Sequence, residues 1–322
     1  MQSKAPVVIC LMGPTASGKT DLAVNLSEHF ASEIINVDSA QIYQGMDIGS
    51  GKPSLQIRQK VPHHLMDFLD PKIPYNAAQF RHDAIACINE ILERGKVPIL
   101  VGGTMLYFKV LQQGLSSLPE ANDALRKRLE AWADREGWAA LHKALYQIDP
   151  ITANRIKPND SQRIQRALEI AEITGKPMSF WLSQPKADPL PFEFLNIALI
   201  PVTTPRTVLH ERILLRFDAM LENGLVTEVE KLFRRGDLND SLPAIRSVGY
   251  RQVWQYLMGQ MSYDEMHEKA IAATRQLAKR QLTWLRQWPM LTTFDFLAPE
   301  LLESVLDFLK KHGVMLTASP HV

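Results

Sequence analysis

Four short apolar runs, joined by segments with helical periodicity, dominate the hydrophobic pattern of this chain. The runs cover residues 7–12, 33–38, 97–101 and 194–201. Residues 76–94 show the helical repeat that lies between several of these runs, and a further strand or loop is predicted at residues 63–68. Short apolar strands that alternate with helices indicate an α/β fold, with a largely parallel sheet and helices on both faces.

The alternation of strand and helix stops after about residue 115. Residues 122–180 show only helical patterns, and three prolines between residues 183 and 191 mark a return linker before the last strand. We therefore predict an all-helical insertion at residues 116–190, with the α/β core divided between residues 1–115 and 191–322. Beyond residue 201 the pattern is helical again, over residues 206–234, 250–256 and 263–288.

A glycine-rich loop joins the first strand to the first helix. Residues 13–20 read Gly-Pro-Thr-Ala-Ser-Gly-Lys-Thr and fill every fixed position of the G-x-x-x-x-G-K-[ST] pattern. The glycines let backbone N–H groups converge on an anion, and the start of the helix adds a partial positive charge. Lys19 adds a full charge, and the Thr20 hydroxyl can ligate Mg²⁺. The loop thus predicts a site for a diphosphate or triphosphate, rather than a turn that binds nothing.

Three further polar positions are candidates for chemistry beside this loop. Asp38 ends the second strand, and Thr104 follows two glycines at the end of the third, where open α/β sheets bind their ligands. Arg216 shares a helix face with Arg212 and could clamp a diphosphate. The alternatives remain open from local sequence: Asp38 could cap a turn, Thr104 could belong to a plain strand-to-helix connection, and Arg216 could be solvated.

A basic stripe is predicted on the helix near the end of the chain. Arg275, Lys279 and Arg286 fall on one side of this helix, with no acidic residue between positions 271 and 290. Four apolar residues fall on the opposite side, where they can pack: Leu277, Trp284, Leu285 and Trp288. Such a stripe fits a phosphate backbone, although a solvated basic face is the alternative.

Composition and charge narrow the class of protein. With 322 residues, 46% hydrophobic residues and a net charge of +1, the chain resembles an ordinary globular protein of about two domains. No run approaches the roughly 18 apolar residues that span a bilayer, and no signal peptide is expected. Cys10 and Cys87 give no disulfide framework and are predicted to be buried thiols, and His63 and His64 point to opposite faces of a strand rather than to one metal. We therefore expect a cytoplasmic protein without a membrane partner.

Taken together, these motifs make the chain resemble the bacterial type of the tRNA dimethylallyltransferase family, also called tRNA isopentenyltransferases. The resemblance covers nearly the whole chain, and the blocks after the glycine loop are its most specific part. Met105 departs from the glycine that many members carry, Ser247 varies, and the zinc-finger extension of many eukaryotic members is absent. The matching blocks are residues 13–20, 38–43, 62–65 with Asp67, 102–104 with Leu106 and Tyr107, 159–160, 162–166, 216–217 with Met220 and Leu221, 246–251 and 279–286.

The resemblance implies a fold, a reaction and a set of partners. The core would be a three-layer P-loop NTPase-like domain. The dimethylallyl group of dimethylallyl diphosphate would be transferred to N6 of the adenosine just 3′ of the anticodon, in tRNAs that read codons beginning with U. Diphosphate would leave, with Mg²⁺ as cofactor, and the protein would act as a monomer on the anticodon stem-loop.

The resemblance also implies a role for each matching residue. The catalytic residues would be Asp38, Thr104 and Arg216, with Asp38 accepting the N6 proton and Thr104 lying between the substrates. The diphosphate would lie on Gly13, Pro14, Thr15, Ala16, Ser17, Gly18, Lys19 and Thr20, with Thr20 as the metal ligand. Contacts with tRNA would come from Asp38, Ser39, Ala40, Gln41, Arg126, Gln162, Arg163, Ile164, Gln165, Arg166, Arg246, Ser247, Val248, Gly249, Tyr250, Arg251, Lys279, Arg280, Gln281, Leu282, Thr283, Trp284, Leu285 and Arg286.

Two other functions compete with this hypothesis. A small-molecule kinase would use the same loop to hold ATP, but it needs an acceptor alcohol and an adenine pocket that the sequence does not reveal. A non-catalytic RNA-binding module would carry the loop as a remnant, and its activities would not depend on Asp38.

Overall fold

A computed structural model describes residues 5–116, 118–184 and 189–316 of the chain. Contacts between residues divide it into two compact units, one formed by Met1–Gln112 with Leu190–Val322 and the other by Gln113–Pro189. The first unit contains every described strand. None of the described helices is long and apolar enough to cross a membrane.

Six parallel strands form a single sheet in the first unit, in the order β3-β2-β4-β1-β5-β6. The strands are β1 Val7–Met12, β2 Ser32–Val37, β3 His63–His64, β4 Val97–Gly102, β5 Glu193–Ile200 and β6 Leu291–Asp295. The register pairs Met12 with Gly102 and Val37 with Gly102 on either side of β4. The ends of β1, β2 and β4 therefore meet at one edge of the sheet.

Fourteen helices are described along the chain. They are α1 Lys19–Leu26, α2 Leu55–Lys60, α3 Ala77–Glu93, α4 Met105–Gln113, α5 Asp123–Glu136, α6 Trp138–Ile148, α7 Pro150–Ala153, α8 Ser161–Thr174, α9 Met178–Ser183, α10 Arg206–Glu222, α11 Leu225–Phe233, α12 Tyr250–Leu257, α13 Tyr263–Leu285 and α14 Leu301–Lys311. Helix α13 begins with a capping box, in which Ser262 and Glu265 satisfy each other's backbone N–H groups.

Both faces of the sheet are buried, which explains why its central strands are continuous apolar runs. Along β1, Ile9 and Leu11 belong to one hydrophobic core, and Val8, Cys10 and Met12 belong to the core on the other face. This arrangement confirms the predicted α/β class with a parallel sheet. The second unit has its own core, built from helices α5 to α8 around Leu141 and Ile164.

The structure corrects the expected elements at three places. The helix predicted over residues 206–234 is two helices, because Gly224 adopts a φ of 96° between them. The strand or loop predicted at residues 63–68 contains only the two-residue strand β3. Strand β6 and helix α14 are present, although the hydrophobic pattern did not predict them.

Candidate active site

A cavity of about 500 Å³ lies at the sheet edge where β1, β2 and β4 end. Its wall contains side chains from the glycine loop, from the segment after β2, from the turn after β4, and from helices α10 and α13. The structure therefore brings Lys19, Asp38, Thr104 and Arg216 to one space, as expected for ligand sites of parallel sheets.

The glycine loop adopts the wrapped shape that anion binding requires. Ala16 and Gly18 have positive φ angles of 64° and 80°, so the chain turns tightly before α1 begins. A side chain at Gly13 would lie 2.7 Å from the Leu199 carbonyl oxygen, so only glycine allows β1 to pass so close to β5. Arg212 fixes the loop from outside by donating from Nε to the Ala16 carbonyl at 2.9 Å.

The two cations beside the loop, Lys19 and Arg216, have lowered pKa values mainly because they are buried. Burial, and then the charge of Arg216, lower the pKa of Lys19 to about 7, although Asp38 opposes the shift. Burial likewise lowers the pKa of Arg216, and Asp38 and Asp21 oppose that shift. Lys19 Nζ donates to the Pro14 carbonyl at 2.7 Å. A bound polyanion would relieve both shifts, so the loop is suited to a ligand of high negative charge.

Arg216 reaches the cavity by packing against a glycine. A Cβ at Gly51 would lie 1.8 Å from Arg216 Nη2, so any side chain there would displace the guanidinium. Gln41 supports the same segment, because its Nε2 donates to the carbonyls of Ser50 and Gly51 at 3.2 Å each. Gln41, which the sequence predicts to contact tRNA, therefore has a structural role near Arg216.

Asp38 and Thr104 lie on adjacent connections at the cavity wall. The Ala40 N–H donates to Asp38 Oδ1 at 2.9 Å, while Oδ2 has no hydrogen-bond partner among the described residues. The Ser39 N–H donates to Thr104 Oγ1 at 3.0 Å, and the Thr104 N–H donates to the Val37 carbonyl at 3.1 Å. Asp38 is thus held through one oxygen and can accept a proton at the other.

Helix α13 corrects part of the predicted tRNA surface. Gln281, Leu282 and Leu285 are buried, so their side chains are not part of an exposed surface on which RNA could dock. Gln281 instead accepts a hydrogen bond from the Thr15 N–H and donates one to the Gly103 carbonyl. The exposed positions of the segment are Lys279, Arg280, Thr283, Trp284 and Arg286.

Trp284 also differs from the expectation that it would pack in the interior. The ring is 38% exposed and lies at the cavity wall, with Lys109 Nζ 5.4 Å from its centroid. Arg275, predicted as part of the exposed stripe, is half-buried, and its Nε has no hydrogen-bond partner in the described part of the chain. The helix therefore presents a mixed aromatic and basic surface rather than a purely basic stripe.

The segment from Arg246 to Arg251 divides into exposed and buried positions. Arg246, Ser247, Val248 and Gly249 line the cavity, and Arg251 is exposed. Tyr250 is 0% exposed, so its side chain is not available to tRNA. The Tyr250 hydroxyl donates to Glu228 at 2.6 Å and accepts from the Ser50 N–H at 3.1 Å.

Glu228 is a supporting residue that the sequence did not single out. Its carboxylate accepts hydrogen bonds from the N–H groups of Asp47, Ile48 and Gly49, in addition to the Tyr250 hydroxyl. These contacts fix the segment just before Gly51, the glycine against which Arg216 packs. Glu228 lies on helix α11, about 180 positions along the chain from these amides. No local pattern could therefore have revealed the contact.

The predicted tRNA residues of the second unit are mostly engaged within that unit. Arg126 and Arg166 both bind the carboxylate of Glu169, which is 0% exposed. Burial raises the pKa of Glu169, but hydrogen bonds from Arg126, the Asn122 N–H and Arg166 together lower it below its usual value. Ile164 is 0% exposed and belongs to the core, which corrects its assignment as a tRNA contact.

The neighbouring side chains of helix α8 are more accessible. Gln165 donates to Glu130 Oε1 at 3.0 Å, Arg163 pairs with Asp160, and Gln162 is exposed. Gln162 and Arg163 therefore remain candidates for a contact with RNA in this unit.

Comparison with known proteins identifies the family of this chain. A family model described as IPP transferase matches residues 41–288, and one described as isopentenyl transferase matches residues 6–70. A tRNA dimethylallyltransferase of Coxiella burnetii is 52% identical over 97% of this chain and 100% of its own length. One from Thioalkalivibrio sulfidiphilus is 56% identical over 89% of each chain.

Solved structures give the same result. The tRNA isopentenylpyrophosphate transferase of Bacillus halodurans has a TM-score of 0.69 at 35% identity, covering 95% of this chain and 96% of its own. A eukaryotic dimethylallyltransferase acting on tRNA has a TM-score of 0.79 at 27% identity, covering 95% and 80%. These relatives support prenyl transfer over the kinase alternative. The chain therefore belongs to the tRNA dimethylallyltransferase family, and it is an enzyme of this prenyl-transferring type.

Proposed function

We propose that this enzyme transfers the dimethylallyl group of dimethylallyl diphosphate to N6 of the adenosine just 3′ of the anticodon, in tRNAs that read codons beginning with U. The observation that carries the proposal is the single cavity shared by the glycine loop, with its cations, and the carboxylate of Asp38. One side of this cavity suits a leaving diphosphate, and the other suits a nucleophile that must lose a proton.

The leaving group is stabilised by the loop. As the allylic C–O bond breaks, negative charge grows on diphosphate and positive charge grows on the allylic carbon. Lys19 and Arg216 line the cavity, and their cations, with backbone N–H groups between Ala16 and Thr20, would stabilise the developing negative charge. Burial lowers the pKa of both side chains, so a bound anion would stabilise their charged forms.

The acceptor nitrogen is activated by Asp38. Adenine N6 is a weak nucleophile, since its lone pair is delocalised into the ring. The free Oδ2 of Asp38 accepts a hydrogen bond from N6, orients the amine, and takes its proton as the new N–C bond forms. The products are N6-dimethylallyl adenosine, diphosphate and a protonated Asp38, which then releases its proton to water.

A magnesium ion fits the donor set that is present. The Thr20 hydroxyl lies on the cavity wall, and no cluster of three or more His, Cys, Asp or Glu side chains is placed to hold a metal within residues 5–116, 118–184 and 189–316. Mg²⁺ commonly uses one or two protein ligands together with substrate phosphates and water. Thr20 would therefore hold the ion, which would neutralise charge on the diphosphate.

The tRNA anticodon stem-loop reaches the cavity over a basic rim. Arg246 and Arg280 line the cavity, and Lys279 and Arg286 are exposed on α13. These cations suit the phosphates around an anticodon loop, whose bases cost less free energy to extrude than paired bases do.

The enzyme acts as a monomer in the cytoplasm, where the free thiols of Cys10 and Cys87 remain reduced.

Ligand titration tests the proposal against the kinase alternative. The protein should bind dimethylallyl diphosphate in the presence of Mg²⁺ with higher affinity than ATP, measured by calorimetry under the same conditions. A preference for ATP, with release of ADP when candidate acceptors are added, would contradict prenyl transfer.

A further inference from the structure

The amide of Gln281 joins two parts of the active site that the chain itself does not connect. Its Oε1 accepts a hydrogen bond from the Thr15 N–H at 2.9 Å, and its Nε2 donates to the Gly103 carbonyl at 2.9 Å. The side chain is only 7% exposed, and its hydrogen bond to the Gly103 carbonyl is shielded from water. The amide therefore spans the gap between the glycine loop and the turn after β4.

Each end of this contact leads directly to a group in the proposed chemistry. Thr15 belongs to the loop that binds the leaving diphosphate. Gly103 precedes Thr104, whose Oγ1 accepts from the Ser39 N–H beside Asp38. One end of the Gln281 amide thus holds the donor side of the cavity, and the other end holds the acceptor side.

The fit around the amide is close. A Cβ on Gly103 would lie 2.2 Å from Gln281 Nε2, so the contact needs glycine at this position. Leu282 and Leu285, which follow Gln281 on α13, are buried in the two hydrophobic cores on either side of the sheet. The helix therefore presents the amide from a fixed support.

We propose that Gln281 is a positioning residue that sets the separation between the diphosphate loop and the Thr104–Asp38 side of the cavity. The inference rests on the proposed function, because it concerns the distance between the allylic carbon and the acceptor nitrogen. Reacting atoms must approach to about 3–3.5 Å, and an error of about 1 Å can cost on the order of 10²-fold in rate. Gln281 acts through the two backbone segments that it joins.

Substitution of Gln281→Met tests the role, because methionine has a similar length but makes neither hydrogen bond. We expect kcat to fall by about 10- to 100-fold, since the two sides of the cavity are no longer held together. The KM for dimethylallyl diphosphate and the Kd for tRNA should change by less than about threefold, because the groups that bind each substrate remain. Binding stoichiometry for inorganic diphosphate, measured by calorimetry, gives the folded fraction to which kcat is normalised.

Gln112→Met is the matched control. Gln112 is a partly buried glutamine whose amide donates to Asn196 Oδ1 at 2.7 Å, and unlike Gln281 it does not line the cavity. This variant should keep kcat within about twofold of the wild type after the same normalisation. Gly103→Ala provides an independent route, since its Cβ would push the Gln281 amide away, and it should reproduce the loss of kcat.

The outcomes separate the inference from the function on which it rests. A normalised kcat near the wild-type value in Gln281→Met would overturn the positioning role, and so would a loss of the same size in Gln112→Met. A loss that appears only in KM would also overturn it, because Gln281 would then act on binding. A wild-type protein that fails to prenylate tRNA would overturn the proposed function itself.

Discussion

The ammonium group of Lys19 should make diphosphate binding depend on pH in a way that can be calculated. In the free protein its pKa lies at about 7, because of burial and the nearby charge of Arg216. A bound diphosphate should return this pKa to its ordinary range near 10 or above. Between these values the free amine is mostly neutral and the bound amine is charged, so binding takes up a proton and weakens as the pH rises.

The size of the effect follows from the two pKa values. At pH 8 about one free Lys19 in ten carries a proton, so binding should take up about 0.9 proton. Between pH 7 and pH 9 the affinity should fall about 50-fold, or roughly 2 kcal/mol. Calorimetry of dimethylallyl diphosphate without tRNA, in two buffers of different ionisation enthalpy, measures the proton uptake directly.

Lys19→Arg supplies the control, because a guanidinium stays charged over this whole range. The variant can bind the diphosphate more weakly than the wild type. Because the ionisation of the ligand affects both proteins equally, it cancels in the ratio of the two affinities at each pH. That ratio should change with pH by the full 50-fold or so expected for Lys19. Proton uptake near zero at pH 8 would refute the claim that Lys19 is mostly neutral in the free protein and becomes protonated when diphosphate binds. A ratio of wild-type to Lys19→Arg affinity that does not change with pH would refute it as well.

Three substitutions test the remaining roles. Asp38→Asn keeps the acceptor for the Ala40 N–H but removes the base, so kcat should fall by about 10²- to 10⁴-fold while the Kd for tRNA holds; turnover close to wild type would exclude Asp38 as the base. Gly51→Ala should raise the KM for the donor at least tenfold by displacing Arg216, whereas Gly95→Ala has a similar positive φ with no neighbour within 4 Å and should leave KM unchanged. Arg286→Ala should weaken tRNA binding and reduce the slope of log K against log salt by about one unit in filter-binding assays; an unaltered slope would place Arg286 outside the interface.

Much of the fold could be predicted from the sequence because the central strands are buried on both faces. Such strands are continuous apolar runs, as in β1 and β4, and they need no alternating pattern to be recognised. Strand β6 lies at the sheet edge and is only partly buried, so its residues Leu291–Asp295 carry no comparable signal. The hydrophobic pattern gives no sign of the break at Gly224, because apolar residues continue on both sides of it.

The site could be predicted only where its residues are contiguous in sequence. The glycine loop is one uninterrupted motif, and four of its residues, Thr15, Ala16, Lys19 and Thr20, line the cavity together with Asp38 and Thr104. The contact between Gln281 and Thr15 joins positions 266 residues apart, so no local pattern could distinguish Gln281 from its exposed neighbours on α13. For the same reason, the sequence could not predict that Arg126 pairs with Glu169, because the two residues lie on different helices.

Analysis of the modified nucleoside tests the central claim most directly. Unmodified tRNA that reads a codon beginning with U is incubated with the enzyme, Mg²⁺ and dimethylallyl diphosphate, then digested and examined by mass spectrometry. The account predicts that the adenosine 3′ of the anticodon gains one C5H8 unit on N6, with one diphosphate released for each adenosine modified. An unmodified adenosine, or a C5H8 unit on any other atom, would contradict it.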